Sequence, residues 1–92
     1  MDADGSPQHP GDMAAQLELA LDNLAAIVAA ADMTLANVVR LNIYTTHVEE
    51  LINHHFPRIN NRFGNSRYAT SVLSVADLPA QVLVMLEATA TD

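Results

Sequence analysis

Residues 66–79, SRYATSVLSVADLP, read as a strand that runs into a turn, with Arg67 near its start and Thr70 three residues further on. Such a stretch either floors a pocket or simply fills a sheet, and its neighbours decide between the two. Downstream, ADLPA links this strand (Arg67–Val75) to a second one over Gln81–Ala88. The run Val82–Leu86 is apolar at every position, so the second strand is expected to be central and buried on both faces.

Upstream, HVEELINHHFPRINNRFG places Leu51, Ile52, Phe56, Ile59 and Phe63 at roughly helical spacing, with Gly64 as a C-terminal stop. Pro57 inside a helix would cost about 3 kcal/mol, so a kink is expected there, or a restart with the proline in the first turn. Before it, NVVRLNIYTT carries the β-branched and aromatic residues of a strand. Strict alternation puts Val39, Leu41 and Ile43 on one face and Val38, Arg40, Asn42 and Tyr44 on the other. Earlier still, Met13, Leu17, Ala20, Leu21, Leu24, Ile27, Val28 and Ala31 form the stripe of an amphipathic helix that Asp12 can cap. Glu18 and Asp22 lie off that stripe. Residues 1–11 read as a mobile tail and 12–92 as one domain.

The order α-β-α-β-β defines a small α+β domain with helices packed on one face of a three-stranded sheet. The other face and at least one edge stay bare, which calls for a partner. A chain of 92 residues buries roughly 65% of its unfolded surface, so association would also support a thin core.

Composition removes several chemistries. Cysteine is absent, which excludes disulfides, thiol nucleophiles and zinc–thiolate sites. Lysine is absent too, which excludes a side-chain Schiff base. All four cations are arginines, Arg40, Arg58, Arg62 and Arg67, and the net charge is −7. That balance argues against nucleic acid and anionic membrane surfaces as partners, because phosphate affinity needs clustered basic residues. No apolar run reaches about 18 residues, so no membrane span is expected. The acidic N-terminus has no apolar core of a secretory signal, and a cytoplasmic location is the default expectation.

The elements GDMAAQLELALDNLAAIVAAA, NVVRLNIYTT and SVADLPAQVLVMLEATA together resemble the reactive-intermediate deaminase family (Rid, also called YjgF or L-PSP). Gly11, Asp12, Gln16, Asn23 and Leu24 match the pattern of its first helix, and Asn37, Val38 and Val39 that of the following strand. Val75–Pro79 and Glu87–Ala90 match its C-terminal signature. The resemblance implies a Rid-like (chorismate-mutase-like) fold and a trimer with pockets at the subunit interfaces; no cofactor or metal is expected. Relatives of this kind carry strands ahead of the first helix that complete the sheet and part of the pocket. Here those strands are expected to be missing or supplied by another chain, so oligomerisation would complete the sheet.

In active relatives an arginine early in the first C-terminal strand grips the substrate carboxylate, and a carboxylate in the last strand positions the hydrolytic water. Aligned on Val75–Pro79, those positions fall on Thr70 and Met85. Threonine offers one neutral hydroxyl where arginine gives a charged fork, and methionine accepts no proton. A family asparagine near the pocket is replaced by His55 or Phe56.

Arg67 is the candidate substitute, although its separation of three residues from Thr70 turns it to the opposite face of a regular strand. A bulge could swing it round; otherwise it is a solvated arginine. Tyr68 shares the parity of Thr70 and could line a pocket with Thr70 and Met85, or pack as a core aromatic. Glu87 lies on the same side as Met85 and could serve as a displaced general base if burial raises its pKa. The plainer account is a rim carboxylate paired to a neighbour. His47, Glu50, His54 and His55 lack the spacing of a metal site and read as surface groups. Ser71 and Ser74 have no downstream histidine at nucleophile spacing. Met13 and Met33 read as filler.

The expected function is therefore a Rid-type binder of a small carbonyl or imine metabolite at subunit interfaces, without full imine deaminase activity. The rivals are an active 2-imino or enamine hydrolase that uses Arg67 and Glu87, and a structural fragment with no pocket.

Overall fold

In the computed structural model, residues 11–64, 67–79 and 82–91 are described below. The expected mobile tail over 1–11 lies, apart from Gly11, outside them, as do Ser66 and Gln81.

Asp12 starts the first helix: its Oδ1 accepts from the Ala15 backbone N–H at 3.1 Å, satisfying one of the amides that an N-terminus leaves open. Helix α1 runs Met13–Ala30. Its end uses no glycine. Asp32 adopts φ 60°, a conformation that aspartate tolerates better than most residues, and Met33 N–H returns to Val28 O at 2.9 Å. Met13, Leu17, Leu21 and Val28 are buried, but Ile27, expected on the apolar stripe, is 68% exposed. By length and hydropathy α1 reaches what a membrane span requires, contrary to the expectation that nothing here would. Its apolar stripe is used instead against the sheet.

A single 3₁₀ turn, Leu35–Asn37, leads into strand β1, Val38–Thr45. Thr34 and Asn37 close this turn by reciprocal hydrogen bonds, and Asn37 Nδ2 also donates to Thr91 O at 3.1 Å. The next region begins with α2, Val48–Glu50, opens into a π-helical turn over Leu51–His55, and continues as α3, Phe56–Phe63. Pro57 thus sits in the first turn of α3, as one of the two expectations required. The missing proline N–H falls where the wider turn has already interrupted the α-helical ladder. Gly64 stops α3 at φ 58°. Leu51, Ile59 and Phe63 point into the core, whereas Ile52 is 51% exposed.

Strand β2 is Ala69–Ser74 and β3 is Val84–Ala90. The sheet order is β2-β1-β3, with β1 parallel to β2 and antiparallel to β3. The expected central place of the last strand is thus corrected: β1 is central and β3 is an edge. Val82 and Leu83 precede the strand, Val84 is buried at 5% exposure, and Met85 is 38% exposed. The continuous apolar run arises because Val84 and Leu86 face the helices while Met85 faces the uncovered side.

Strict alternation also fails at the start of β1. A register irregularity between Val38 and Arg40 brings Val38 to the buried side with Leu41 and Ile43, and leaves Val39 45% exposed. The core lies between α1, the α2–α3 region and one face of the sheet. Across the helices, Glu18 receives Arg58 Nη1 and Arg62 Nη2, each at 3.1 Å, and Arg62 also meets Asp22. The two carboxylates placed off the stripe therefore tie α1 to α3.

Candidate functional site: the helix-free face of the sheet

Registered residues of neighbouring strands share a face, so the sheet presents three rungs on the side without helices. They are Ala69–Arg40–Thr89, Ser71–Asn42–Glu87 and Leu73–Tyr44–Met85. The middle strand contributes the chemistry because its outward positions are Arg40, Asn42 and Tyr44. Glu87 Oε1 accepts from Asn42 Nδ2 and from the Tyr44 hydroxyl, both at 3.1 Å. These two donors stabilise the ionised form and hold the Glu87 carboxyl below its ordinary range. The same contact raises the Tyr44 phenol, because a nearby carboxylate disfavours phenolate. At neutral pH the cluster is an ionised acceptor beside a neutral donor.

Of the two accounts of Glu87, this arrangement is that of a carboxylate paired to its neighbours. A general base needs its pKa raised, and here hydrogen bonding lowers it, so the carboxylate is a better partner for a cation than for a proton. Around the edge of β3, Ala20, Asn23, Leu24, Ile27, Pro79, Val82 and Val84–Leu86 line a largely apolar groove of about 290 Å³. Met85 belongs to both the groove and the helix-free face.

The other sequence-derived candidates separate. Thr70 pairs with Leu41 in the rung on the helix side, and Tyr68 stacks on Phe63 with ring centroids 4.5 Å apart. The structure therefore joins Met85 with Glu87 and sets Tyr68 and Thr70 on the opposite side. Arg67 precedes β2 and is exposed. Glu50, His54 and His55 line a shallow concavity with Glu49 and Asn53, where His55 Nε2 lies 3.1 Å from Glu50 Oε2. His47 lies apart from them, with Nδ1 2.8 Å from Thr46 Oγ1. Among the described residues no three metal-ligating side chains converge.

Sequence reasoning missed Asn42 and Tyr44 as site residues. The signal was the polar side of NVVRLNIYTT, whose alternate positions read Arg40, Asn42, Tyr44. Only the antiparallel register with β3 shows that the last two converge on Glu87.

A mixed three-stranded sheet with its helices on one side is the α+β arrangement of the chorismate-mutase-like proteins. The chain belongs to the Endoribonuclease L-PSP family, whose family model matches residues 1–92. Among solved structures, an endoribonuclease-named protein of Thermotoga maritima is 32% identical with a TM-score of 0.83, over 89% of this chain and 64% of that one. A Mycobacterium tuberculosis member of the YjgF/YER057c/UK114 family is 35% identical with a TM-score of 0.79, over 86% of this chain and 67% of its own. Escherichia coli TdcF, solved with bound serine, is 27% identical with a TM-score of 0.78, over 90% of this chain and 67% of its own. The present chain thus spans about two thirds of the length of these structures. No curated protein matches it.

Proposed function

We propose that the protein binds small carbonyl or imine metabolites at interfaces between copies of itself, without full imine deaminase chemistry. The observation that carries this reading is the uncovered sheet face, where an ionised Glu87 sits between Asn42 and Tyr44 and beside the exposed Leu73 and Met85. Exposed apolar side chains gathered on one face mark interaction sites, and a second subunit would dry this face and strengthen its polar contacts. Serine bound to TdcF supports a small amino- or keto-acid as ligand class. Thr70 and Met85, which stand where the resemblance places arginine and carboxylate, speak against catalysis, and two donors hold Glu87 in its ionised form.

A nuclease reading finds less support. Arg58 and Arg62 are engaged by Glu18 and Asp22, and Arg40 and Arg67 do not form a phosphate-binding cluster.

The test pairs two measurements. Enzymatically generated 2-aminoacrylate is mixed with the protein at high concentration, and 2-oxobutanoate and serine are titrated by calorimetry. The expected result is binding of at least one small acid with no acceleration of imine hydrolysis. Acceleration that disappears in Arg67→Ala would establish the hydrolase instead. No binding and a monomeric mass by light scattering would remove the metabolite-binding reading altogether.

A further inference from the structure

We infer that the outer edge of β3 is a docking site for an extended segment of another polypeptide, one that alternates apolar and basic side chains and adds to the sheet as a further strand. The inference does not depend on the metabolite-binding reading above.

The backbone of β3 is the first ground for it. Thr46 N–H donates to Leu83 O at 3.4 Å, and in an antiparallel ladder the bonded pairs recur at every second residue. Along the register, Met85 and Glu87 then turn their backbone groups to Tyr44 and Asn42, while Val84, Leu86 and Ala88 turn theirs away from β1. The other side of β1 agrees. Val75 N–H reaches Thr45 O at 3.0 Å, so Thr45, the partner of Val84, directs its carbonyl toward the β2 side. Among the described residues no strand lies beyond β3. The N–H and C=O groups of Val84, Leu86 and Ala88 therefore stand in a row at an open edge. Val84–Ala90 contains neither proline nor lysine, the residues that commonly guard such an edge against strand addition.

The side chains say what kind of strand would fit. Residues opposite one another on neighbouring strands share a face, so positions opposite Val84, Leu86 and Ala88 would lie on the helix side. There the groove of about 290 Å³ follows the edge, walled by Ala20, Leu24 and Ile27 of α1, and Ile27 is 68% exposed. Apolar side chains suit that wall, in the manner of a peptide added to a sheet edge. The intervening positions would lie on the helix-free side, opposite Met85 and Glu87. Glu87 is ionised there, and the whole chain carries a net charge of −7, so a lysine or arginine suits the position opposite it.

Two other occupants fit less well. In two-fold pairing of β3 with a second β3, centred on Leu86, Glu87 or Ala88, the two Glu87 side chains fall opposite or diagonal to one another, and like charges there repel. Residues 1–10, MDADGSPQHP, have no apolar alternation, carry Asp2 and Asp4, and include Pro7 and Pro10, which donate no backbone hydrogen bond.

The probe is an acetylated, amidated peptide seven residues long, the length of β3, in which valine and leucine alternate with lysine. Fluorescence anisotropy measures its binding to the full chain, and amide exchange by NMR locates it. Binding is expected to saturate and to slow the Val84, Leu86 and Ala88 amides about tenfold or more. Methylating the peptide amides that face β3 should abolish binding, and methylating the alternate amides should leave it. Ile27→Asp and Glu87→Gln, both at exposed positions and checked for folding by circular dichroism, should each weaken binding about fivefold. Absence of binding at about 1 mM peptide would overturn the inference outright. Equal binding of a peptide with glutamate in place of lysine would overturn the basic partner, and indifference to which amides are methylated would overturn strand addition. Edge amides that are already slow in the free protein would overturn it too. Slowing that grows with protein concentration would assign the edge to a second copy, and slowing lost on deletion of residues 1–10 to the chain's own N-terminal segment.

Discussion

The Tyr44 hydroxyl donates to Glu87 Oε1 across the β1–β3 boundary at 3.1 Å, on the side of the sheet that none of the described helices covers. One residue of the pair is held ionised and the other neutral, by the same bond. A titration can therefore read it directly.

The Glu87 carboxyl is expected to titrate below its ordinary value of 4.5, and Tyr44→Phe and Asn42→Ala are each expected to move it back up. A folded pKa below the unfolded one gives stability that is present above the unfolded value and lost as pH falls through the folded one. The raised Tyr44 works at the other end: its contribution is present below 10.0 and lost as pH rises through the folded value. Carboxyl-carbon NMR through acid pH checks the first half. A Glu87 shift that ignores Tyr44→Phe would show the contact to be absent in solution.

Gln16 is expected to matter more than a helix-surface glutamine. Its Oε1 accepts from Leu83 N–H at 2.7 Å, and the residue is 6% exposed. Gln16→Leu keeps much of the volume and abandons that amide, at a cost of about 1–3 kcal/mol in urea unfolding. An unchanged midpoint would mean that the entry to β3 is held by other contacts.

Two isoleucines separate packing from pattern. Ile43→Ala empties a fully buried site and is expected to lose about 2–5 kcal/mol, whereas Ile27→Ala, 68% exposed, should fall within about 0.5 kcal/mol of wild type. A large loss at Ile27, measured at a concentration where the protein assembles, would instead place α1 in an interface.

Amide exchange should rank the strands by position. In β1, flanked on both sides, Leu41–Tyr44 are expected to be the slowest amides, and those of β3 that point away from β1 the faster ones. Uniform protection along Val84–Ala90 would show that something covers that edge in solution.

Much of this arrangement was legible before the structure. Asp12 as cap, the buried Leu17 and Leu21, the restart at Pro57 and the stop at Gly64 each rest on local chemistry, which a sequence carries openly. What could not be read was relational. Whether an apolar run is central or peripheral depends on what lies beside it, and Val82–Leu86 says nothing of its neighbours. The bulge that turns Val38 inward and Val39 outward breaks an alternation that looks regular in the letters. The site was half legible for the same reason: Glu87 could be picked out, but its donors lie 43 and 45 residues away and only the sheet register brings them together.

That separation also governs when the protein can become itself. β1 is the middle of the sheet, yet its antiparallel partner begins at Val84, and the contact between Asn42 and Glu87 spans 45 residues. Leu41 and Ile43 cannot be enclosed by α1 and its neighbours alone, because Val84 and Leu86 form the adjoining part of their surface. The chain must close its long loop before the core rewards it, which slows folding relative to a helical domain of this size. During synthesis β1 therefore waits first for β2 and then, with its other edge still open, for β3.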